Sequence, residues 1–159
     1  MKTLICSVIP MCRLFTLLAV GLCALPCMAA PRGWTTDYGA AVTKAKADNK
    51  ILLLNFMGNR KTNADMDKIH NELLLQDPFY EYAEKHGIIL VDIVVDSTKP
   101  DLKKTAKAAC KQFHVDGYPW ILFVGPDGKE LGRVGYIPGG TAAYFAKFDA
   151  WRLALGGRK

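Results

Sequence analysis

Two short apolar runs constrain this chain most. Ile51 to Phe56 is continuous but for Asn55, and Ile88 to Val95 is rich in β-branched residues. Each is short enough to be a strand buried on both faces. Between them, Asn63 to Leu75 places Met66, Ile69, Leu73 and Leu74 at helical spacing, and Asp77-Pro78 breaks and restarts the helix up to Lys85. Two buried strands joined through a helix imply a parallel crossover.

The flanking segments extend the pattern. Trp34 to Asn49 carries Trp34, Tyr38, Ala41, Val42 and Ala45 at helical spacing and is expected to be an amphipathic helix. A third helix is expected over Asp101 to Phe113 and a third strand over Trp120 to Val124. Gly125-Pro126-Asp127-Gly128 is a turn signal that folds Glu130 to Gly135 back as an antiparallel partner. Gly139-Gly140-Thr141 then opens a last helix to about Leu155. The sequence shows no internal repeat and no linker, so one domain is expected.

Residues 1 to about 30 are expected to serve export. Lys2 precedes the apolar segment Leu14 to Leu25, and Ala29-Ala30 offers small residues for cleavage. An uncleaved anchor fits less well, because Arg13 and Pro26 bound a run shorter than the ~20 residues that span a bilayer. Lipidation at Cys23 or Cys27 is weaker still, since Leu22 and Pro26 precede them. Four of the five cysteines would leave with this segment, so residues 31–159 keep Cys110 alone. An exported domain with one thiol is no disulfide scaffold and depends on its core. The formal charge falls from +6 to +4 as Lys2 and Arg13 leave, too little to argue for nucleic acid. No stable membrane insertion is expected after signal removal, and the protein is expected to be periplasmic or secreted.

The residues also resemble a family. Trp34, Asp37-Tyr38, Ala41, Ala45-Lys46, Lys50-Ile51-Leu52-Leu53, Phe56 and Gly58, with Gly117-Tyr118-Pro119, Gly125-Pro126-Asp127-Gly128 and Gly135-Tyr136, are similar to the thioredoxin-like proteins, in particular their exported bacterial branch. The resemblance spans Trp34 to Leu155. It implies an α/β thioredoxin-like fold, with a central mixed four-stranded sheet and helices on both faces. It also implies a cis bond at Tyr118-Pro119, and a groove there in which the backbone of Tyr118 pairs with an extended peptide or partner protein.

The departures from the family are equally specific. The resemblance implies a Cys-x-x-Cys where a helix N-terminus stabilises a thiolate, but Thr62 and Asp65 occupy those positions. Its buried carboxylate falls on Asn55, which does not titrate. Thr62-Asn63-Ala64-Asp65 fits a capping box, worth about 1 kcal/mol. The alternative is a polar recognition rim of Thr62, Asp65, Arg60 and Lys61. Cys110 is expected as a small, semi-buried side chain; the alternative is a reactive thiol between Lys107 and Lys111. Lys103, Lys107 and Lys111 form a helical stripe expected to be a solvated face. His70, His86 and His114 share no metal-ligand spacing, so no metal and no cofactor are assigned.

Three function classes follow: a non-redox module binding a peptide or protein through Thr62, Asp65, Tyr118 and Pro119; a thiol enzyme or redox sensor working through Cys110; and a structural envelope component.

Overall fold

The computed structural model describes residues 31–58, 63–95 and 97–156. Its sheet is mixed, with strand order β1-β3-β2-β4-β5. The strands are β1 (Trp34–Thr35), β2 (Leu52–Met57), β3 (Ile89–Val94), β4 (Trp120–Val124) and β5 (Glu130–Val134). The helices are α1 (Tyr38–Asp48), α2 (Ala64–Ile69), α3 (Asp77–Lys85), α4 (Pro100–Gln112) and α5 (Gly140–Gly156), with a π-helical turn over His70–Leu74 continuing α2. β1 and β2 lie parallel to β3, whereas β4 runs antiparallel to both β2 and β5.

Side-chain alternation along β2 divides the core between the two faces of the sheet. Leu52, Leu54 and Phe56 pack with Ala41 and Ala45 of α1 and with Ala106, Ala109 and Phe113 of α4 and its end. On the other face, Leu53 packs with Ile69 and Leu73, with Phe79 of α3, and with Tyr144 and Phe148 of α5. Both faces are covered by helices, so β2 has no solvent-facing side and its sequence is apolar almost throughout.

Among the described residues five strands are present where four were expected. The fifth is Trp34–Thr35, which the helical-period reading had assigned to the first helix. Trp34 pairs with Leu90 and Thr35 with Val91, and the Trp34 ring stacks on Phe79 with centroids 6.0 Å apart. The helix begins only after Asp37, whose carboxylate accepts the Ala40 N–H at 2.9 Å. A two-residue strand is too short to show a period of two, so Trp34 fell in with the helical spacing that follows it.

The hairpin from β4 to β5 turns at Gly125 to Gly128. Gly125 N–H bonds the Lys129 carbonyl at 2.8 Å, and Gly128 adopts φ +79, open to glycine at no steric cost. Gly132 on β5 serves a different end, since Trp151 of α5 lies directly over it. A Cβ there would be 2.2 Å from Trp151 Cε2, and the indole packs on Phe123 and Phe148. Gly132→Ala is therefore expected to displace Trp151 at a cost of about 1–3 kcal/mol, a fall in Tm of roughly 3–10 °C. Trp151→Leu in the same background should recover part of that loss. An unchanged Tm for Gly132→Ala would contradict this packing.

Candidate functional site

The site forms where β2 ends and β4 begins. Pairing of Phe56 with Trp120 in the antiparallel β2–β4 ladder puts Gly58 and Tyr118 side by side. The Tyr118–Pro119 peptide bond is cis. Gly58 lies against the Tyr118 ring: a Cβ on it would sit 3.0 Å from Tyr118 Cδ2 and 3.3 Å from Met66 Cε. Any larger side chain would push Tyr118 off this contact.

Helix α2 starts here, but not through the expected capping box. The N-cap is Asn63, whose Oδ1 accepts the Asp65 N–H at 2.9 Å. Its Nδ2 donates to the Tyr118 carbonyl at 3.1 Å. One amide thus satisfies a helix end and ties the β2–α2 connection to the Tyr118–Pro119 loop. Asn tops the N-cap preferences together with Ser and Asp, and Thr62 simply drew attention one residue too early. Thr62, with Arg60 and Lys61, lies outside the described residues. Asp65 is exposed on the first turn of α2, where Lys68 Nζ reaches its Oδ1 at 3.3 Å. Lys68 also lies 4.7 Å from the centroid of the Tyr136 ring, and the Tyr136 hydroxyl reaches Glu72 Oε2 at 3.3 Å. Partial burial and the Glu72 carboxylate hold the Tyr136 phenol above its ordinary range.

Cys110 is semi-buried, and the fold brings it to the same loop. Its Sγ lies 3.7 Å from the Tyr118 hydroxyl. No local pattern signals this contact, because Cys110 sits on α4 and Tyr118 beyond the end of that helix. Lys103, Lys107 and Lys111 are exposed, as a solvated stripe should be. Among the described residues, no group of three or more His, Cys, Asp or Glu side chains comes together to hold a metal, and no helix is long and apolar enough to cross a membrane.

Asn55 is buried behind this loop, at 6% exposure. It pairs across the ladder with Asp92 of β3, and its Nδ2 donates to Asp92 Oδ1 at 3.1 Å. A carboxylate therefore stands on the neighbouring strand, level with the amide. Asp92 was not singled out in the sequence; a lone carboxylate inside the buried run Ile88 to Val95 was the available signal. A cavity of about 320 Å³ opens beside them, walled by Trp34, Met57, Gly58, Leu74 and Tyr80 among others.

The thioredoxin-like domain model matches residues 38–148. The chain belongs to the thioredoxin-like domain family. A curated relative, the disulfide bond reductase DsbH of Chlamydia pneumoniae, is 31% identical over 124 residues, covering 77% of this chain and 74% of that one. A solved DsbH oxidoreductase superposes with a TM-score of 0.66 at 27% identity, covering 80% of this chain and 88% of that one. A thioredoxin from Thermus thermophilus shares the fold with a TM-score of 0.57 at 16% identity, over 77% and 85% of the two chains. This thioredoxin-like protein has no Cys-x-x-Cys: its cysteines are Cys6, Cys12, Cys23, Cys27 and Cys110, and none falls in the segment of sequence between β2 and α2.

The double role of Asn63 can be dissected. Asn63→Ala removes both the cap and the tie, and is expected to cost about 1–3 kcal/mol. Asn63→Asp keeps an acceptor for the cap but loses the donor to the Tyr118 carbonyl. It should therefore cost less in thermal unfolding, yet raise amide exchange around Trp120 as much as alanine does. Equal Tm losses for the two variants, or exchange unchanged in both, would contradict the shared role.

Proposed function

We propose that this protein is an exported, non-catalytic thioredoxin-like module that holds an extended peptide, or such a segment of a partner protein, at the Tyr118–Pro119 loop. The observation that carries the reading is how firmly this loop is held without a cysteine pair. Tyr118 is tied through its carbonyl to Asn63, its ring lies on Gly58, and its hydroxyl is beside Cys110. Strand addition by a peptide would use the backbone beside the cis bond, as the family resemblance implies. The half-exposed Tyr118 ring adds an aromatic surface and a hydroxyl. Asp65, exposed on the first turn of α2, and Thr62 supply the polar rim. Export is proposed from the Lys2, Leu14–Leu25 and Ala29-Ala30 pattern, with residues 31–159 as the working domain.

A second reading is favoured by one distance, the 3.7 Å between Cys110 Sγ and Tyr118 Oη. A peptide on the loop would lie near the thiol. Attack by its thiolate on a disulfide of the partner would form a mixed disulfide and release the partner's other sulfur as a thiolate. The domain has no second thiol to resolve that bond, so such a product would persist until an external thiol displaced it.

Crosslinking in the native cell envelope, followed by binding measurements with the captured partner, separates the readings. Tyr118→Ala is expected to weaken binding roughly tenfold or more, Cys110→Ser is expected to leave it unchanged, and the intact mass of the captured protein should begin near residue 31. Loss of binding in Cys110→Ser, together with release by reductant, would replace the module reading with the thiol reading. Binding indifferent to Tyr118→Ala would overturn the role of the loop, and a retained Met1 would overturn cleavage.

A further inference from the structure

We propose that the exposed face of α4 is an electrostatic docking surface for an acidic segment of a partner protein. Residues Lys99 to Lys111 carry five lysines and a single acid, Asp101, and their formal charge of +4 equals that of residues 31–159 as a whole. The remaining basic and acidic residues of the domain cancel. Its excess charge therefore sits on one helix.

The helix period gathers that charge further. At about 100° per residue, Lys103, Lys104, Lys107 and Lys111 fall within an arc of about 100°, turned away from the face that buries Ala106, Ala109 and Phe113. All four are exposed. Among the described residues, none of the four joins an ion pair or a hydrogen bond through its side chain, whereas Lys44, Lys50, Lys68, Lys129, Arg133 and Arg152 each meet a carboxylate.

This pattern works against the helix. Lys103, Lys107 and Lys111 repeat at a spacing of four, where like charges repel. Lys99 at the N-cap and Lys103 one turn on stand at the positive end of the helix dipole, which disfavours cations. Asp101 is the helix's one acid, and no other element supplies a counter-charge among the described residues. Local choices that oppose stability without compensation gather where a protein binds something, and an anionic partner would relieve this repulsion.

Two observations favour a protein segment over a lipid surface. No large apolar side chain is exposed on α4, so the face offers nothing to insert into a bilayer, and stable anchoring needs a second signal beyond basic charge. The lysine arc also borders the loop described above. Cys110 lies one turn beyond Lys107, and its Sγ is 3.7 Å from the Tyr118 hydroxyl. An acidic segment along α4 would thus flank an extended segment at Tyr118–Pro119. That continuity rests on the proposed function, whereas the charge of the face does not.

The test titrates acetyl-octaglutamate-amide into ¹⁵N-labelled mature protein. The amide signals of Lys103 to Lys111 should shift saturably, and acetyl-octaglutamine-amide should move none of them. Binding should weaken as salt rises from about 0.01 M to about 0.15 M and the screening length falls from about 30 Å to about 8 Å. Lys103→Gln, Lys104→Gln, Lys107→Gln and Lys111→Gln combined should weaken octaglutamate roughly tenfold or more, with Tm unchanged or higher because the repulsion is gone. A control combining Lys44→Gln, Lys50→Gln, Lys85→Gln and Lys129→Gln loses the same charge and should stay within about twofold of wild type. Equal weakening in the two variants would reduce the effect to net charge and overturn the site. Shifts centred on another element would overturn it too, as would a Tm lowered by the α4 substitutions. Lysine-dependent binding to phosphatidylglycerol vesicles without binding of octaglutamate would make the face a lipid surface instead. Octaglutamate shifts on α4 report the face, and Tyr118→Ala against the captured partner reports the loop, so either claim can fail without the other.

Discussion

The antiparallel pairing of β2 with β4 fixes everything at the site. Phe56 opposite Trp120 sets the register, and with it the meeting of Gly58 with Tyr118 and of Asn63 with the Tyr118 carbonyl. A slip by one residue would reverse the facing of every β2 side chain, sending Leu53 and Asn55 to the α1–α4 layer. The buried rows on both faces of the sheet exclude that slip. Core packing and site geometry are therefore one constraint: the residues that bury the sheet also hold the loop.

The strands β2 to β5 and the last four helices could be read from the chain because their signals are long or punctuated: uninterrupted apolar runs, the Asp77-Pro78 restart and the Gly125–Gly128 turn. The rest depends on contacts between residues distant in sequence. Trp34–Thr35 became a strand because β3 offered an open edge. The cap at Asn63 goes with a second bond, from the same amide to the Tyr118 carbonyl, that no local pattern encodes. The pairing of Asp92 with Asn55 exists only through the β2–β3 ladder. The nearness of Cys110 to Tyr118 depends on how the chain turns after α4, which no local pattern encodes. Resemblance to the family marked Tyr118-Pro119, Asn55 and the vacant dithiol positions as places to examine, and composition alone would have marked none of them.

The electrostatic character of the site differs from that of a dithiol enzyme. A helix N-terminus that would favour a thiolate here carries Asn63, with Asp65 two residues inside it, so the helix dipole is met by a cap and a carboxylate. The buried position that would titrate in a redox cycle is an amide, and the nearby carboxyl group belongs to Asp92 on β3 instead. These substitutions remove the groups that proton and electron transfer through a dithiol would use. The fold tolerates them because none of the residues involved belongs to the apolar packing on either face of the sheet.

The claim that the family fold has been kept without its exchange chemistry is tested most directly by insulin reduction. The purified mature protein, supplied with reductant, is predicted to precipitate insulin no faster than its thiol-free Cys110→Ser variant. A wild-type rate clearly above that of the variant would contradict the account and make Cys110 a working thiol.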